Sequence, residues 1–383
     1  MGPVTKKLTC LKDYEEAARE ILSRRPHGPL IWQYYSQGAG DQRSLKENED
    51  AFKRLQFLPR ILVDVSKRDQ RTTLQGQLVP SPIGIAPSSV HKMAHPMGEL
   101  ATVKGAAKHG HCLVLSTYAN TSLEDIASSS IDCLKWFQLY IMDDANSNIA
   151  RGFASDLIKR AEAAGYKALV LTVDLPVLGN RRVEREGDID NVPLANDLPN
   201  FAKVKSPTLS ASLIGSEESA SSPTGLNPSV TWDIISWMKT ITRLPIILKG
   251  ILHPEDAKLA VKHGASGIWI SNHGGRQLDS LPAPIDALPG IKEAVKDDIE
   301  LYLDGGVRSG SDVVKAIALG ARAVFVGRPA LWGLICGGED GVANVLKILR
   351  DEMDTTMALL GYTSLEEITK DCLFRNPMLK SNL

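Results

Sequence analysis

An imidazole and a guanidinium stand three residues apart in the glycine-flanked run Ser271-Asn272-His273-Gly274-Gly275-Arg276-Gln277. An imidazole ionises close to neutrality and suits general-base work, and a neighbouring guanidinium can hold an anionic substrate beside it. Asp174 is a candidate partner for His273, because a carboxylate stabilises the imidazolium that forms when the base takes its proton. Two more glycine-rich runs, Asp304-Gly305-Gly306-Val307-Arg308 and Gly327-Arg328-Pro329, each lead towards a helical pattern. Glycines let backbone N–H groups approach an anion, helix N-termini add a favourable dipole, and arginines offer forked donors, so the pair reads as a phosphate site. His91 and His95 lie four apart, but the stretch lacks the glutamate of His-Glu-x-x-His and no third ligand stands near, so no metal site is expected.

These residues need elements to aim them. From about residue 80, short β-rich runs alternate with amphipathic stretches. Eight strands are predicted: Pro82–Ala86, Cys112–Ser116, Leu134–Tyr140, Ala168–Asp174, Pro245–Lys249, Gly267–Ser271, Glu300–Asp304 and Ala323–Gly327. Helical periodicity is clearest over Asn146–Ala164, Pro254–His263, Ser311–Leu319 and Gly341–Leu360. Eight βα units are the arithmetic of a TIM (β/α)8 barrel, although a doubly wound α/β sheet would give the same local pattern. At or just beyond the strand C-termini stands a dense polar set: Ser88 and Ser89, Ser116, Gln138 and Tyr140, Thr172 and Asp174, Lys249, Ser271 and His273, Asp304 and Arg308, and Arg328. Unpaired buried polar groups cost about 1 to 3 kcal/mol each, so such a cluster implies a ligand with many hydrogen-bonding groups, and a flat heteroaromatic cofactor would suit.

Two segments fall outside the repeat. Residues 1–75 look largely helical (Asp13–Leu22, Pro29–Ser36, Leu45–Phe52) and are expected to cap one end of the barrel formed by 76–383. Between the fourth and fifth strands an insertion of about 175–230 includes Ser206–Ser229, with eight serines and three prolines in 24 positions, a composition poor in buriable surface. In a barrel it would leave from the face where active sites sit, so it reads as a mobile lid.

Composition sets the outer bounds. The 383 residues carry 44 basic and 45 acidic side chains and are 43% hydrophobic, which excludes fibrous and disordered classes and gives no sequence-wide electrostatic reason to bind nucleic acid. The five cysteines (Cys10, Cys112, Cys133, Cys336, Cys372) never form a Cys-x-x-Cys pair and fit a reducing compartment. Met1–Leu30 is dotted with charges and holds no apolar signal segment, and no run approaches a membrane span. A soluble intracellular protein acting on a small molecule is expected.

The motifs Trp32-Gln-Tyr-Tyr-Ser-Gln-Gly-Ala39, Phe57-Leu-Pro-Arg-Ile-Leu-Val-Asp64, Lys92-Met-Ala-His-Pro96, Phe137-Gln-Leu-Tyr140, Thr172-Val-Asp-Leu-Pro176, Ser271-Asn-His-Gly-Gly-Arg-Gln-Leu-Asp279 and Leu303-Asp-Gly-Gly-Val-Arg308 follow one another in the order of a known family. From about Asp13 to Ile368 the chain resembles the FMN-dependent L-2-hydroxy acid oxidases and dehydrogenases, with glycolate oxidase the nearest type. The resemblance implies a TIM barrel with a helical cap, FMN at the C-terminal face, and oxidation of an L-2-hydroxy acid to the 2-keto acid, with O2 reoxidising the flavin to give H2O2. It makes His273 the base with Asp174 in support. It gives Arg181, Arg276 and the Tyr34 hydroxyl to the substrate carboxylate, and Tyr140 to the substrate hydroxyl or developing keto oxygen. Lys249 would stand near the flavin N1 and C2 carbonyl as a fixed cation, a role favoured here over an ion pair at the barrel top. Ala86, Pro87, Ser88, Ser116, Gln138, Thr172 and Ser271 fall to the flavin, Asp304 to the ribityl chain, and Gly306, Arg308, Gly327 and Arg328 to the phosphate.

The chain also departs from the family pattern. Where many members carry Ala or Gly beside flavin N5 after Ala-Pro-Thr, this chain reads Ala86-Pro87-Ser88-Ser89. Ser89 puts a hydroxyl where oxygen would react, which keeps open a dehydrogenase that uses another acceptor. Tyr118 replaces the tryptophan usual in glycolate oxidases, so a substrate side chain larger or more polar than that of glycolate is expected. Arg182 beside Arg181 leaves two candidates for the clamp, with the Leu-Gly-Asn-Arg run favouring Arg181. About 75 residues precede the barrel without paired haem-ligating histidines, which weighs against a flavocytochrome. Ser381-Asn382-Leu383 is similar to the peroxisomal Ser-Lys-Leu address but lacks its basic middle residue, and the family resemblance implies a homotetramer.

Overall fold

The eight apolar runs become eight parallel strands: β1 (Ile83–Ile85), β2 (Cys112–Leu115), β3 (Lys135–Leu139), β4 (Leu169–Thr172), β5 (Ile246–Ile251), β6 (Gly267–Ile270), β7 (Glu300–Leu303) and β8 (Ala323–Val326). Each pairs with the next and β8 pairs with β1, closing a barrel and excluding the doubly wound alternative. This computed structural model describes residues 7–129, 133–142, 147–182, 192–195, 197–201 and 226–374. Much of the expected lid and the terminal Ser381-Asn382-Leu383 therefore lie outside the described residues.

The strands are buried on both faces, as a sheet ringed by helices requires, and their alternation sorts side chains into two cores. Trp136, Val114, Val170, Ile247, Trp269, Tyr302 and Phe325 fill the barrel interior. Trp269 lies 4.1 Å from Phe325 between ring centroids, and Trp136 lies 5.3 Å from Tyr302. Two residues beyond each interior position, period-two alternation aims Ala86, Ser116, Gln138, Thr172, Lys249, Ser271, Asp304 and Gly327 at the barrel mouth. Every one is a site residue expected from sequence. At the opposite end the hairpin Thr72–Leu74/Gln77–Val79 brings in Gln75, whose amide donates to the Ser266 carbonyl and the Tyr302 hydroxyl, each at 2.9 Å.

Three helices precede the barrel: α1 (Leu11–Ser23), α2 (Gly28–Ser36) and α3 (Arg43–Arg54). Helices α4 (Gly98–Ala107), α5 (Leu123–Ser128), α6 (Ser147–Ala163), α7 (Asp233–Lys239), α8 (Pro254–Lys262), α9 (Pro284–Val295), α10 (Gly310–Ala318) and α11 (Arg328–Leu360) follow the strands in order. The helix expected over Gly341–Leu360 forms the second part of α11, and a first part from Arg328 precedes it across a kink where Gly337 and Gly338 leave helical φ/ψ. α1 packs on α11, Trp32 of α2 stacks on Trp332 of α11 at 4.8 Å, and α3 packs on the His273–Gly275 turn at the barrel mouth. Among the described residues no helix is long and apolar enough to cross a membrane.

Candidate active site

His273 sits on the turn after β6 with φ +58°, a strained value for a residue with a Cβ. Its amide donates to Ser271 Oγ at 3.0 Å, and its Nδ1 lies 2.9 Å from Asp174 Oδ1. Burial holds the imidazole below its ordinary range, with Asp174 opposing and Lys249 and Arg181 assisting. Burial alone would raise the Asp174 carboxyl, but the charge and hydrogen bond of His273, then the charge of Lys249, bring it below the usual carboxylate range. The two directions agree on a neutral imidazole beside a carboxylate, which leaves Nε2 with a lone pair. Asp174 reaches this place because β5 yields: Gly250 takes φ +113°, and a Cβ there would come within 2.5 Å of the Asp174 Cβ.

Around this dyad stand the groups expected to hold a carboxylate. Arg181 is buried, donating from Nε to the Arg276 carbonyl at 3.0 Å and from Nη2 to Gln277 Oε1 at 3.1 Å. Arg182 points away and pairs with Asp41 at 2.7 Å on the surface, so of the two neighbours Arg181 is the one at the site. Arg276 donates to the Tyr34 carbonyl at 2.5 Å and lies 5.1 Å from the centre of the Tyr34 ring. The Tyr34 hydroxyl is 2.5 Å from Ser89 Oγ. Tyr140 is buried, and burial first, then the Asp174 charge, raises its hydroxyl well above the ordinary phenol range. Tyr118 stacks on Phe201 at 5.1 Å and lies 5.4 Å from Tyr140, forming an aromatic wall beside it.

A second set runs along the strand ends. Ser116 Oγ donates to Gln138 Oε1 at 3.4 Å, and Gln138 Nε2 donates to Thr172 Oγ1 at 3.1 Å, linking β2, β3 and β4 in one row. Lys249 Nζ lies 2.9 Å from Asp304 Oδ2 and donates to Ser271 Oγ at 2.8 Å, while Ser271 donates to Asp304 Oδ1 at 2.5 Å. The ion pair set aside in the sequence reading is therefore present: buried charges need partners, and Asp304 is the nearest carboxylate. Ala86 continues the β8 to β1 pairing by donating to the Val326 carbonyl at 3.0 Å, and Ser88 follows Pro87 towards Gly327, whose Cβ would meet Ser88 Oγ at 3.6 Å.

The two motifs expected to bind phosphate lie next to one another at the N-termini of α10 and α11. Gly306 has φ +88°, and a Cβ there would stand 1.8 Å from the Asn48 carbonyl oxygen, so only glycine allows α3 this close. Arg308 pairs with Glu49 at 2.9 Å, but its buried Nε has no partner among the described residues. Arg328 donates to the carbonyls of Tyr35, Gly274 and Gln37 at 2.8, 2.9 and 3.0 Å. Burial, then the charges of Arg276 and Arg308, lowers its guanidinium to about 9. An unpaired buried N–H and three crowded cations fit a bound anion, and the polar row from Ser116 to Thr172 beside the Lys249 cation fits the edge of a polar heteroaromatic ring. His91 Nδ1 instead pairs with Thr102 at 2.9 Å, and His95 Nδ1 accepts from the Met97 amide at 3.2 Å.

A motif match covers residues 23–375, to the family described as FMN-dependent dehydrogenase. The chain belongs to the FMN-dependent dehydrogenase family. It is 46% identical over 366 residues to 2-Hydroxyacid oxidase 2 of Bos taurus, covering 96% of this chain and 98% of that one. With Glycolate oxidase 3 of Arabidopsis thaliana the identity is 45%, covering 95% of each. A solved structure of a soluble mutant of the membrane-associated (S)-mandelate dehydrogenase from Pseudomonas putida superposes with a TM-score of 0.85 at 33% identity, covering 97% of this chain and all of that one. As a member of this family the chain is FMN-dependent.

Several supporting residues escaped the sequence reading. Asn48 and Asn272 exchange amide hydrogen bonds at 2.9 and 2.6 Å and tie α3 to the His273 turn. The buried Glu99 carboxylate accepts from the His91 and Asn120 amides, each at 3.0 Å, and from the Thr121 hydroxyl at 2.9 Å. Asn120 then donates to the carbonyls of Leu194 and Asp197, and Asn200 bridges Thr117 and Leu123, so the described middle stretch of the insertion is latched to the segment after β2. Their only advance signal is that an acid or amide lies within an apolar neighbourhood.

Proposed function

We propose that the chain oxidises an L-2-hydroxy acid to the 2-keto acid, using FMN and then O2, with H2O2 as the second product. The observation that carries this reading is the meeting, at one barrel mouth, of the His273–Asp174 dyad with Arg181, Arg276 and the Tyr34 hydroxyl. FMN, when bound, accepts the electron pair released from the substrate carbon and delivers it to oxygen. His273 Nε2 takes a proton from the substrate, and Asp174 steadies the imidazolium that results. Arg181, Arg276 and Tyr34 hold the carboxylate, since a carboxylate offers about four lone-pair sites and arginine meets it in a fork. Tyr140 donates to the substrate hydroxyl or the growing keto oxygen. Lys249, beside Asp304 and Ser271, directs its charge towards the flavin ring, and Arg308 and Arg328 balance the phosphate with Gly306 and Gly327 admitting it. The oxidase names of the relatives favour oxygen over another acceptor.

The finer features of the reading follow the same logic. Tyr118, with Phe201 behind it, lines a pocket for a substrate side chain larger or more polar than that of glycolate. Residues 1–75 serve as the cap, 76–383 as the catalytic barrel and about 175–230 as its lid. The chain works as a soluble homotetramer without nucleic-acid or membrane partners, in the cytoplasm or, through Ser381-Asn382-Leu383, in peroxisomes. The deciding experiment is an anaerobic absorbance titration of the FMN-loaded protein with glycolate, L-lactate, L-2-hydroxyoctanoate and (S)-mandelate, followed by air and a peroxide assay. Bleaching followed by recovery with stoichiometric peroxide is expected. Bleaching with slow recovery and little peroxide would replace the oxidase by a dehydrogenase, and no bleaching with any acid would overturn the reading.

A further inference from the structure

Ser89 and Tyr34 are 55 residues apart in the chain, yet their hydroxyl oxygens lie 2.5 Å from one another. Ser89 belongs to the loop that follows β1, and Tyr34 to α2 in the N-terminal segment. The rest of Tyr34 is also held: Arg276 donates to its carbonyl at 2.5 Å and sets its guanidinium 5.1 Å from the ring centre. The tyrosine is thus fixed at backbone, ring and hydroxyl, and Ser89 is the residue that meets its hydroxyl.

We propose that Ser89 is a positioning residue for carboxylate recognition, acting through the hydroxyl of Tyr34. The inference rests on the reading above, in which Tyr34 helps to hold the substrate carboxylate. Each hydroxyl has one proton to give and two lone pairs to accept with. A carboxylate can only accept, so when one lies beside Tyr34 the phenol proton must point to it. The phenol oxygen is then an acceptor, and the Ser89 proton fills that role. Serine, tyrosine and carboxylate form one chain with every proton directed the same way, and each bond polarises the next. Alanine at 89 would remove the donor at the end of that chain and free the phenol to rotate.

Non-reacting ligands separate this role from any effect of Ser89 on oxygen. Isothermal titration of the FMN-loaded protein with pyruvate and with benzoylformate measures carboxylate binding without turnover. Ser89→Ala should raise Kd about three- to tenfold, the worth of one net hydrogen bond, while Ser89→Thr should stay within about twofold of wild type. In a Tyr34→Phe background, Ser89→Ala should change Kd no further, because the group it acts through is gone. In anaerobic reduction by the best hydroxy acid, where oxygen plays no part, the loss should appear in the substrate concentration that gives half the limiting rate. Wild-type Kd values for Ser89→Ala, or a loss of equal size with Tyr34→Phe, would overturn the positioning role alone. Wild-type protein that is reduced by no hydroxy acid and binds neither keto acid would overturn the carboxylate site itself, and the inference with it.

Discussion

At His273 the two ring nitrogens have different tasks: Nδ1 faces Asp174 at 2.9 Å and Nε2 is left to the substrate. His273→Ala should keep FMN bound but lower the anaerobic rate of flavin reduction by about two to four orders of magnitude, as loss of a general base does. Because burial holds the imidazole below its ordinary range, kcat/KM for reduction should be flat at neutral pH. It should fall only as the pH drops through a value below the usual imidazole pKa of about 6.5, where the base becomes protonated. Asp174→Asn removes the group that raises the His273 pKa, so the acid limb should move to still lower pH while the rate itself falls. An acid limb that moves upward would reverse the assignment. Residues of this kind are visible in sequence, since a histidine beside an arginine on a glycine-flanked turn has little structural use. The meetings of Ser89 with Tyr34 and of Asn48 with Asn272 are not, because they join chain segments 55 and 224 residues apart and no local pattern records them.

The elements divide in the same way. Strands were readable because four to six consecutive apolar residues between turn formers have no good alternative to a buried parallel sheet, and alternation then dictated which side chains reach the mouth. The helix read over Gly341–Leu360 is there, but the helical stretch that precedes it from Arg328 was not read, because Gly337 and Gly338 leave helical φ/ψ and separate the two. The approach of α3 to the phosphate turn likewise depends on one missing Cβ. Gly306→Ala would force a methyl into the Asn48 carbonyl at a positive φ, and a stability loss of about 2 to 4 kcal/mol is expected in denaturant unfolding. FMN affinity should fall with it. An alanine variant with unchanged unfolding midpoint and flavin content would show that α3 can retreat without cost.

For the molecule as a whole, the crowded cations make folding and ligand binding one equilibrium. Arg276 and Arg308 repel Arg328 in the folded state, and Arg328 is lowered to about 9 by burial and by those neighbours, so an anion placed beside it relieves a cost that the unfolded chain does not bear. Apoprotein should therefore gain Tm on addition of inorganic phosphate, and more on FMN, which at a hundred times its Kd adds about 2.7 kcal/mol. Arg308→Ala should diminish both shifts. If sulfate, phosphate and chloride at equal ionic strength leave Tm unchanged, the three arginines are not an anion site. Light scattering of the full chain tests the homotetramer directly, with a monomeric mass the outcome against it.

The aromatic filling of the barrel also makes the protein its own optical probe. Trp136, Trp269 and Trp332 are essentially shut off from solvent, and the indole N–H of each has no hydrogen-bond partner among the described residues. Indoles in such surroundings emit towards the blue, because nothing polar can reorient around their excited state, and soluble quenchers do not reach them. Trp269 also lies under Lys249 Nζ, 5.5 Å from the ring centre, directly beneath the row of side chains where a flavin would rest. Its emission should dim when the cofactor arrives and brighten when it leaves, giving a stopped-flow signal for flavin uptake that needs neither substrate nor turnover.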